Sequence, residues 1–357
     1  MLLLEVALGD QGAAVEAWRE LRPRLLLDTI ELGSFQLLPL VYRNLTQAGL
    51  DDADLPRLKG VYRRAWVTNN LLVERTKESS AALAEAGVRA LFVEGVAIAS
   101  RFYPTLGLRP TSSIDVLVDE GDERAALAAL AGAGWRAHSD VTGRRPIRHL
   151  VDGNRFCILR TKLAVDVATP VDGRSSHAAL RDTVERHSFA DAEIPVPRPT
   201  ETLFAVCVMH ARVESAPNVQ WIADAKMVMH ADIDWQRLLV LAEESAQVSR
   251  LRDALGFLGS IPGPKPPQEV CDRLASTKVT RRERLSYLCT AGRVSGARRL
   301  APLVAEHLAS SNESVVGAIA TFPRFLRDRW SLAHTWQVPL AAGRRAVGVV
   351  RPRREVI

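Results

Sequence analysis

The sequence predicts a protein of the α+β or α/β class, with a small mixed-sheet core embedded between helical domains. Three observations carry that prediction. Residues 1–87 place apolar side chains at spacings of three and four. From 88 to 198, short apolar runs alternate with turn residues and one Ala/Leu helix. From about 199 the helical spacing returns. The 357-residue chain therefore divides into an N-terminal helical domain (1–87), an α/β core (88–198), a helical domain packing on the core's cleft (199–259), and a Pro-rich linker with a basic helical region (260–357).

Taken in order, "AAVEAWRELRPRLLLDTIELG" and "LPLVYRNLTQAGL" read as helices closed by glycine, and the segment ending "ALAEAG" reads as one long amphipathic helix that stops at Gly87. "VRALFVEG" is a short buried strand ending in a tight turn at Gly95. "VAIASRFY" is a helix that must stop before Pro104. "SSIDVLV" is a strand, and "DERAALAALAGAG" is a helix with an acidic first turn, which its dipole favours. "WRAHS" reads as a further strand. Asp152-Gly153 between two apolar runs is the strongest hairpin signal in the chain, and "KLAVDVATPV" alternates like a strand. The helices after 199 are interrupted by "SIPGPKPPQEV", whose prolines and glycines mark a linker or rigid turn.

Composition narrows the function. Hydrophobic residues make up 47% and charged residues 25%, an ordinary globular balance. Cys157, Cys207, Cys271 and Cys289 form no CxxC pair, which excludes a zinc knuckle or dithiol motif and reads as reduced thiols in a cytoplasmic protein. No apolar stretch reaches the roughly 18 residues a membrane helix needs. The net charge of +6 resides in the end of the chain, where eight arginines after residue 320 face only Asp328 and Glu355. That basic end suits an acidic partner or nucleic acid; a solvated helical end is the plainer alternative. The histidines show no metal-ligand spacing on one element, and phosphate-loop, zinc-protease and nucleophile-elbow motifs are absent from the sequence.

The chemistry concentrates in the α/β core. Residues i and i+2 of a strand share a face, so Ser113 and Asp115 point one way while Ile114 and Val116 point to the core. Asp166, flanked by Val165 and Val167, has the same placement in a later strand. If the two strands are neighbours, Asp115 and Asp166 converge on one cation, and Mg²⁺ takes such carboxylates together with substrate phosphates. Ordinary polar residues on an exposed strand face satisfy the same pattern.

The run "LFVEGVAIASRFYPTLGLRPTSSIDVLVDEGDERAALAALAGAGW" resembles the uncharacterised nucleotidyltransferase family of the DNA polymerase β-like superfamily, whose motif joins Lys-Gly and a helix to Arg-x-x-x-Asp-Ile-Asp-Leu-Leu-Val. Downstream, "RHLVD" and "LAVDVATPV" are similar to its His-containing and third-carboxylate strands, and "LFAVCVMHARVESAPNVQWIADAKMVM" to its helical segment, so the resemblance spans about 85–235. It implies a nucleotidyltransferase-type core that binds an NTP and Mg²⁺ and transfers the nucleotidyl group to an unknown acceptor, chiefly by positioning and electrostatics. It assigns Asp115 and Asp166 as catalytic and metal-holding carboxylates. Gly95 becomes the phosphate-facing turn, with Ser113 and Arg109 beside the bound nucleotide. His210, Trp221 and Asp224 pack against the cleft from the helical side.

The departures from the motif carry equal weight. Ser113 stands where the family has the first Asp, Glu94 where it has Lys, and Ala168 where it often has His. A serine hydroxyl is a weak, neutral metal ligand, and a carboxylate at 94 repels a triphosphate. Two readings remain open. In one, Glu94 replaces the missing carboxylate and a rearranged Mg²⁺ site persists. In the other, the site has degenerated and the fold serves as a binding or adaptor protein.

Overall fold

The computed structural model describes residues 1–138, 147–161, 176–181, 183–189, 191–210, 219–280, 283, 284, 287, 303, 307, 315–329, 332 and 334–347. Asp166 and the strand expected around it lie outside the described residues, as does the side chain of His210. The same holds for Arg351, Arg353 and Arg354, and for the side chains of Arg344 and Arg345, so the surface expected to meet an acidic partner falls largely outside them.

The N-terminal region is helical: α1 (Leu2–Leu8), α2 (Gln11–Leu21), α3 (Leu32–Phe35), α4 (Leu38–Gln47) and α5 (Leu55–Glu85). The second helix is shorter than its apolar spacing suggests. It ends at Leu21 because Pro23 cannot continue the hydrogen-bond ladder, and two short 3-10 turns carry the chain on, leaving Gly33 inside α3. The long α5 ends as expected, with Gly87 at φ +70° just past it.

The core holds β1 (Leu91–Gly95), α6 (Val96–Phe102), β2 (Ser113–Leu117), α7 (Glu123–Gly132), β3 (Arg136–Ala137), β4 (Ile147–Asp152) and β5 (Arg155–Arg160). The sheet runs in the order β1-β2-β5-β4-β3 and is mixed, since β2 and β5 are parallel while the other neighbours are antiparallel. The β4–β5 hairpin forms where Asp152-Gly153 marks it. The loop residues are Gly153 and Asn154, closed by the Asp152–Arg155 pair. A second hairpin, β6 (Val184–Phe189) and β7 (Ala192–Pro197), comes after α8 (Ser176–Arg181).

The register of β1 against β2 positions the site. Leu91 pairs with Leu117 and Phe92 with Val116; a bulge then shifts the register so that Glu94 faces Asp115 and Gly95 faces Ile114. Strict alternation would set Glu94 on the face of Phe92, in the core. The extra residue, Val93, turns it onto the face of Asp115.

The remaining described helices are α9 (Pro199–His210), α10 (Gln220–Val228), α11 (Trp235–Glu244), α12 (Val248–Gly259), α13 (Gln268–Ser276), α14 (Val315–Arg329) and α15 (Val338–Val347). Two apolar clusters hold the fold. One joins α5, α7, one face of the sheet and the β6–β7 hairpin through Leu72, Ile114, Val116, Leu130 and Ile194. The other joins α1, α2 and α4 to α9–α13 and the opposite face of the sheet, through Trp18, Leu40, Leu117, Phe204 and Leu255. Thus β2 is covered on both faces. The Pro-rich segment after α12 is fastened by Lys226, fully buried on α10, whose ammonium donates to the carbonyls of Leu258 (2.8 Å), Ile261 (3.0 Å) and Pro264 (2.6 Å). No described helix is long and apolar enough to cross a membrane.

Candidate functional site

A cleft of ≈ 750 Å³ opens where the ends of β1 and β2 meet α3, α5 and α10. Its lining is mixed, with polar Thr111, Ser112, Ser113 and Asn154 and apolar Phe35, Val61 and Trp221. Glu94, Gly95, Arg109, Ser113 and Asp115, singled out from the sequence, all line it, as does Asp224.

Gly95 sits at φ +59°, ψ −122°, between β1 and α6. A Cβ there would lie 2.3 Å from the carbonyl oxygen of Ser113, so both the backbone angle and the close approach of β2 demand glycine. The residue that the resemblance assigns to a phosphate-facing turn thus also lets the two site-bearing strands close on each other.

Asp115 is buried, with only 2% of its surface exposed. Both of its carboxylate oxygens are engaged. Arg160, at the end of β5, donates from Nε (3.1 Å) and Nη2 (2.9 Å) to Oδ1, and Ser113 Oγ donates to Oδ2 at 3.0 Å. Register explains the reach. Asp115 lies beside Ile158 and Leu117 beside Arg160, so the guanidinium leans back by one pair along a shared face. Burial, with the charge of Glu94, raises the Asp115 pKa above the usual carboxylate value, while Arg160 and the Ser113 hydroxyl oppose the rise. Burial likewise disfavours the charge on Arg160, but the Asp115 and Glu94 carboxylates more than offset it.

Arg109 is turned toward the helical side. Its Nε and Nη2 donate to Oδ1 and Oδ2 of Asp224, both at 2.7 Å, in a bidentate pair. Tyr103 OH (2.7 Å) and Gln220 Nε2 (3.2 Å) donate to the same Oδ1, and Gln220 also donates to the tyrosine oxygen. Burial lowers the Arg109 pKa, yet Asp224 outweighs it and holds the guanidinium charged. The loop carrying Arg109 is itself clamped by Asn69 of α5, whose amide donates to the carbonyls of Leu106 (2.6 Å) and Arg109 (2.7 Å). Core, α5 and α10 are therefore locked together at the cleft by buried polar contacts.

Arg160, Tyr103, Gln220 and Asn69 escaped the sequence reading. For Arg160 a signal existed: an arginine ending the apolar run "RFCILR" must find a partner if its strand is buried, and Asp115 is an acid in a comparably apolar strand. His149, on β4, is exposed and pairs in register with Ile158.

The described donor set does not fit a divalent cation. A metal on Asp115 would have to displace a guanidinium already making two hydrogen bonds, and Ser113 contributes a neutral hydroxyl where a second charge is needed. No group of three or more His, Cys, Asp or Glu among the described residues could hold a metal ion. Two of the carboxylates are already neutralised, Asp115 by Arg160 and Asp224 by Arg109.

Compared with known proteins, residues 33–258 match the model of a family described as uncharacterised nucleotidyltransferase. No curated protein matches the chain.

Proposed function

Because the chain belongs to this uncharacterised nucleotidyltransferase family, a nucleotidyltransferase-like function follows in general terms, and we propose its particular form: a degenerate site that binds a nucleotide by its nucleoside part without a divalent cation. The observation that carries this reading is the ion pair between Arg160 and Asp115. It neutralises the buried carboxylate from within the protein, so no metal charge is required to stabilise the fold around it. The mixed polar and apolar lining of the cleft suits a flat ligand with hydrogen-bonding edges. A free triphosphate is poorly matched, because Glu94 adds negative charge where it would lie. A cytoplasmic setting agrees with the free thiols of Cys157, Cys207 and Cys271.

One observation favours a second reading, Mg²⁺-dependent transfer of a nucleotidyl group from an NTP to an acceptor. The bulge in β1 places Glu94 opposite Asp115, two carboxylates on one face, with Asp166 the third by family resemblance. This reading requires Arg160 to release Asp115.

Calorimetric titration of ATP, GTP, CTP and UTP, with Mg²⁺ or with a chelator, separates the two in wild type, Asp115→Asn and Arg160→Met. Nucleotide binding that persists in the chelator supports the degenerate site. Binding that needs Mg²⁺ and is lost in Asp115→Asn overturns it in favour of the second reading. Absence of binding under every condition overturns both.

A further inference from the structure

The exposed face of α5 beside the cleft has a character that packing does not explain. On a helix, residues 59, 63, 64, 66, 67, 70 and 71 fall within one sector less than half a turn wide. Three of them, Lys59, Arg63 and Arg64, are exposed cations with no ion pair among the described residues. Three others are large apolar side chains left open: Trp66 at 48%, Val67 at 51% and Leu71 at 50% exposure. No acidic residue occurs from Arg57 to Val73, and Arg57, at the start of the run, is engaged with Asp28 and Asp54. The opposite side of the same helix is buried through Leu58, Ala65, Asn69 and Leu72, so this face is the one available for contact. At its edge Arg64 lines the cleft.

We propose that this face of α5 docks single-stranded nucleic acid, with Lys59, Arg63 and Arg64 on the phosphates and Trp66 stacked on a base. Unpaired cations without interleaved acids complement a polyanion. A half-open indole offers a face to any base, and Val67 and Leu71 extend that apolar platform along the helix. An acidic protein surface would match the charges but not the isolated open ring. The docking surface stands independently of what the cleft binds; that the strand's end enters the cleft past Arg64 rests on the nucleotidyltransferase reading.

The test is fluorescence anisotropy of the full-length protein with a labelled oligouridylate of about 15 nucleotides. Wild type binds, and its affinity falls as salt rises from about 50 to 200 mM. Arg63→Gln with Arg64→Gln weakens binding and lowers the log–log salt slope by about 1.4, roughly 0.7 for each cation removed. Trp66→Ala weakens binding roughly tenfold at every salt concentration and leaves the slope unchanged. All of these side chains are exposed, so the variants keep their fold.

Three outcomes overturn the proposal: no binding by wild type; binding indifferent to the α5 variants but lost when Arg351, Arg353 and Arg354 are replaced by Gln; or sedimentation with phosphatidylserine vesicles, lost in Trp66→Ala, in place of oligonucleotide binding. Calorimetry with mononucleotides probes the cleft alone, so failure of one proposal is distinguishable from failure of the other.

Discussion

Arg160 and Asp115 form a buried ion pair across the parallel strands β5 and β2, with Arg160 Nη2 2.9 Å from Asp115 Oδ1. The carboxylate expected from the sequence resemblance to hold a metal is thereby committed to a side chain of the same sheet. Neither partner tolerates loss of the other. Arg160→Met is expected to destabilise the protein by about 3–5 kcal/mol, because it leaves Asp115 buried beside Glu94 without its counter-charge. Adding Asp115→Asn to that variant recovers a large part of the loss. Urea unfolding of the two single variants and the double variant measures the coupling; additive losses would contradict it.

The same pair sets a pH dependence. The Asp115 pKa is raised in the folded protein by burial and by Glu94, and removing Arg160 raises it further. A carboxyl whose folded pKa exceeds its unfolded value costs nothing while both states are protonated. It costs progressively more as pH climbs above the ordinary carboxylate value toward the folded one. The stability deficit of Arg160→Met is therefore expected to shrink as pH falls toward about 4 and to grow toward neutrality. Unfolding free energies across that range check the direction.

The Arg109–Asp224 pair ties the α/β core to α10. Asp224→Ala strands a buried guanidinium and removes the acceptor for Tyr103 OH, with an expected loss of about 3–5 kcal/mol. Arg109→Lys keeps the charge but cannot form the bidentate fork, and should fall between wild type and Asp224→Ala. Denaturant midpoints of the two variants test that order.

Gly95→Ala meets two obstacles, a backbone angle of φ +59° and a Cβ 2.3 Å from the Ser113 carbonyl oxygen. Backbone strain alone is of order 1–3 kcal/mol, and the contact forces β1 and β2 apart at the site. A lowered melting temperature with weakened ligand binding is expected. An unchanged melt would show that the strands separate there without cost.

Lys226→Met removes the donor to the Ile261 and Pro264 carbonyls, while the Leu258 carbonyl keeps the backbone N–H of Ile261. Burying unpaired carbonyls costs about 1–3 kcal/mol each when water cannot reach them. Faster proteolytic cleavage within 258–264 than in wild type is the expected signature, because the segment loses its attachment to α10.

Much of the fold was legible in the chain. Spacing of three and four marked α5 and the helices after 199, Gly87 marked the end of α5, and Asp152-Gly153 marked the β4–β5 hairpin to within one residue of its loop. The short helix pattern after Gln11 was over-extended, because apolar spacing ran past Pro23, which ends the ladder however apolar the residues beyond it. Of the residues singled out for a site, Asp115, Ser113, Glu94, Gly95 and Arg109 line one cleft, and Asp166 lies outside the described residues.

Local pattern determined by itself the long helices and the strands of the core sheet, but not the β6–β7 hairpin, and it placed Asp115 on a strand whose neighbour at i−2 is a serine. These properties depend on backbone preference and side-chain periodicity within a few residues. Tertiary structure alone decided what each charge does. The bulge at Val93 turned Glu94 onto the face of Asp115, the β2–β5 register brought Arg160 within hydrogen-bonding reach, and the packing of α10 gave Arg109 to Asp224. Partners separated by 45 and 115 positions in the chain leave no periodic trace. They meet because buried charges must be paired, and only the folded chain determines which partner lies within reach.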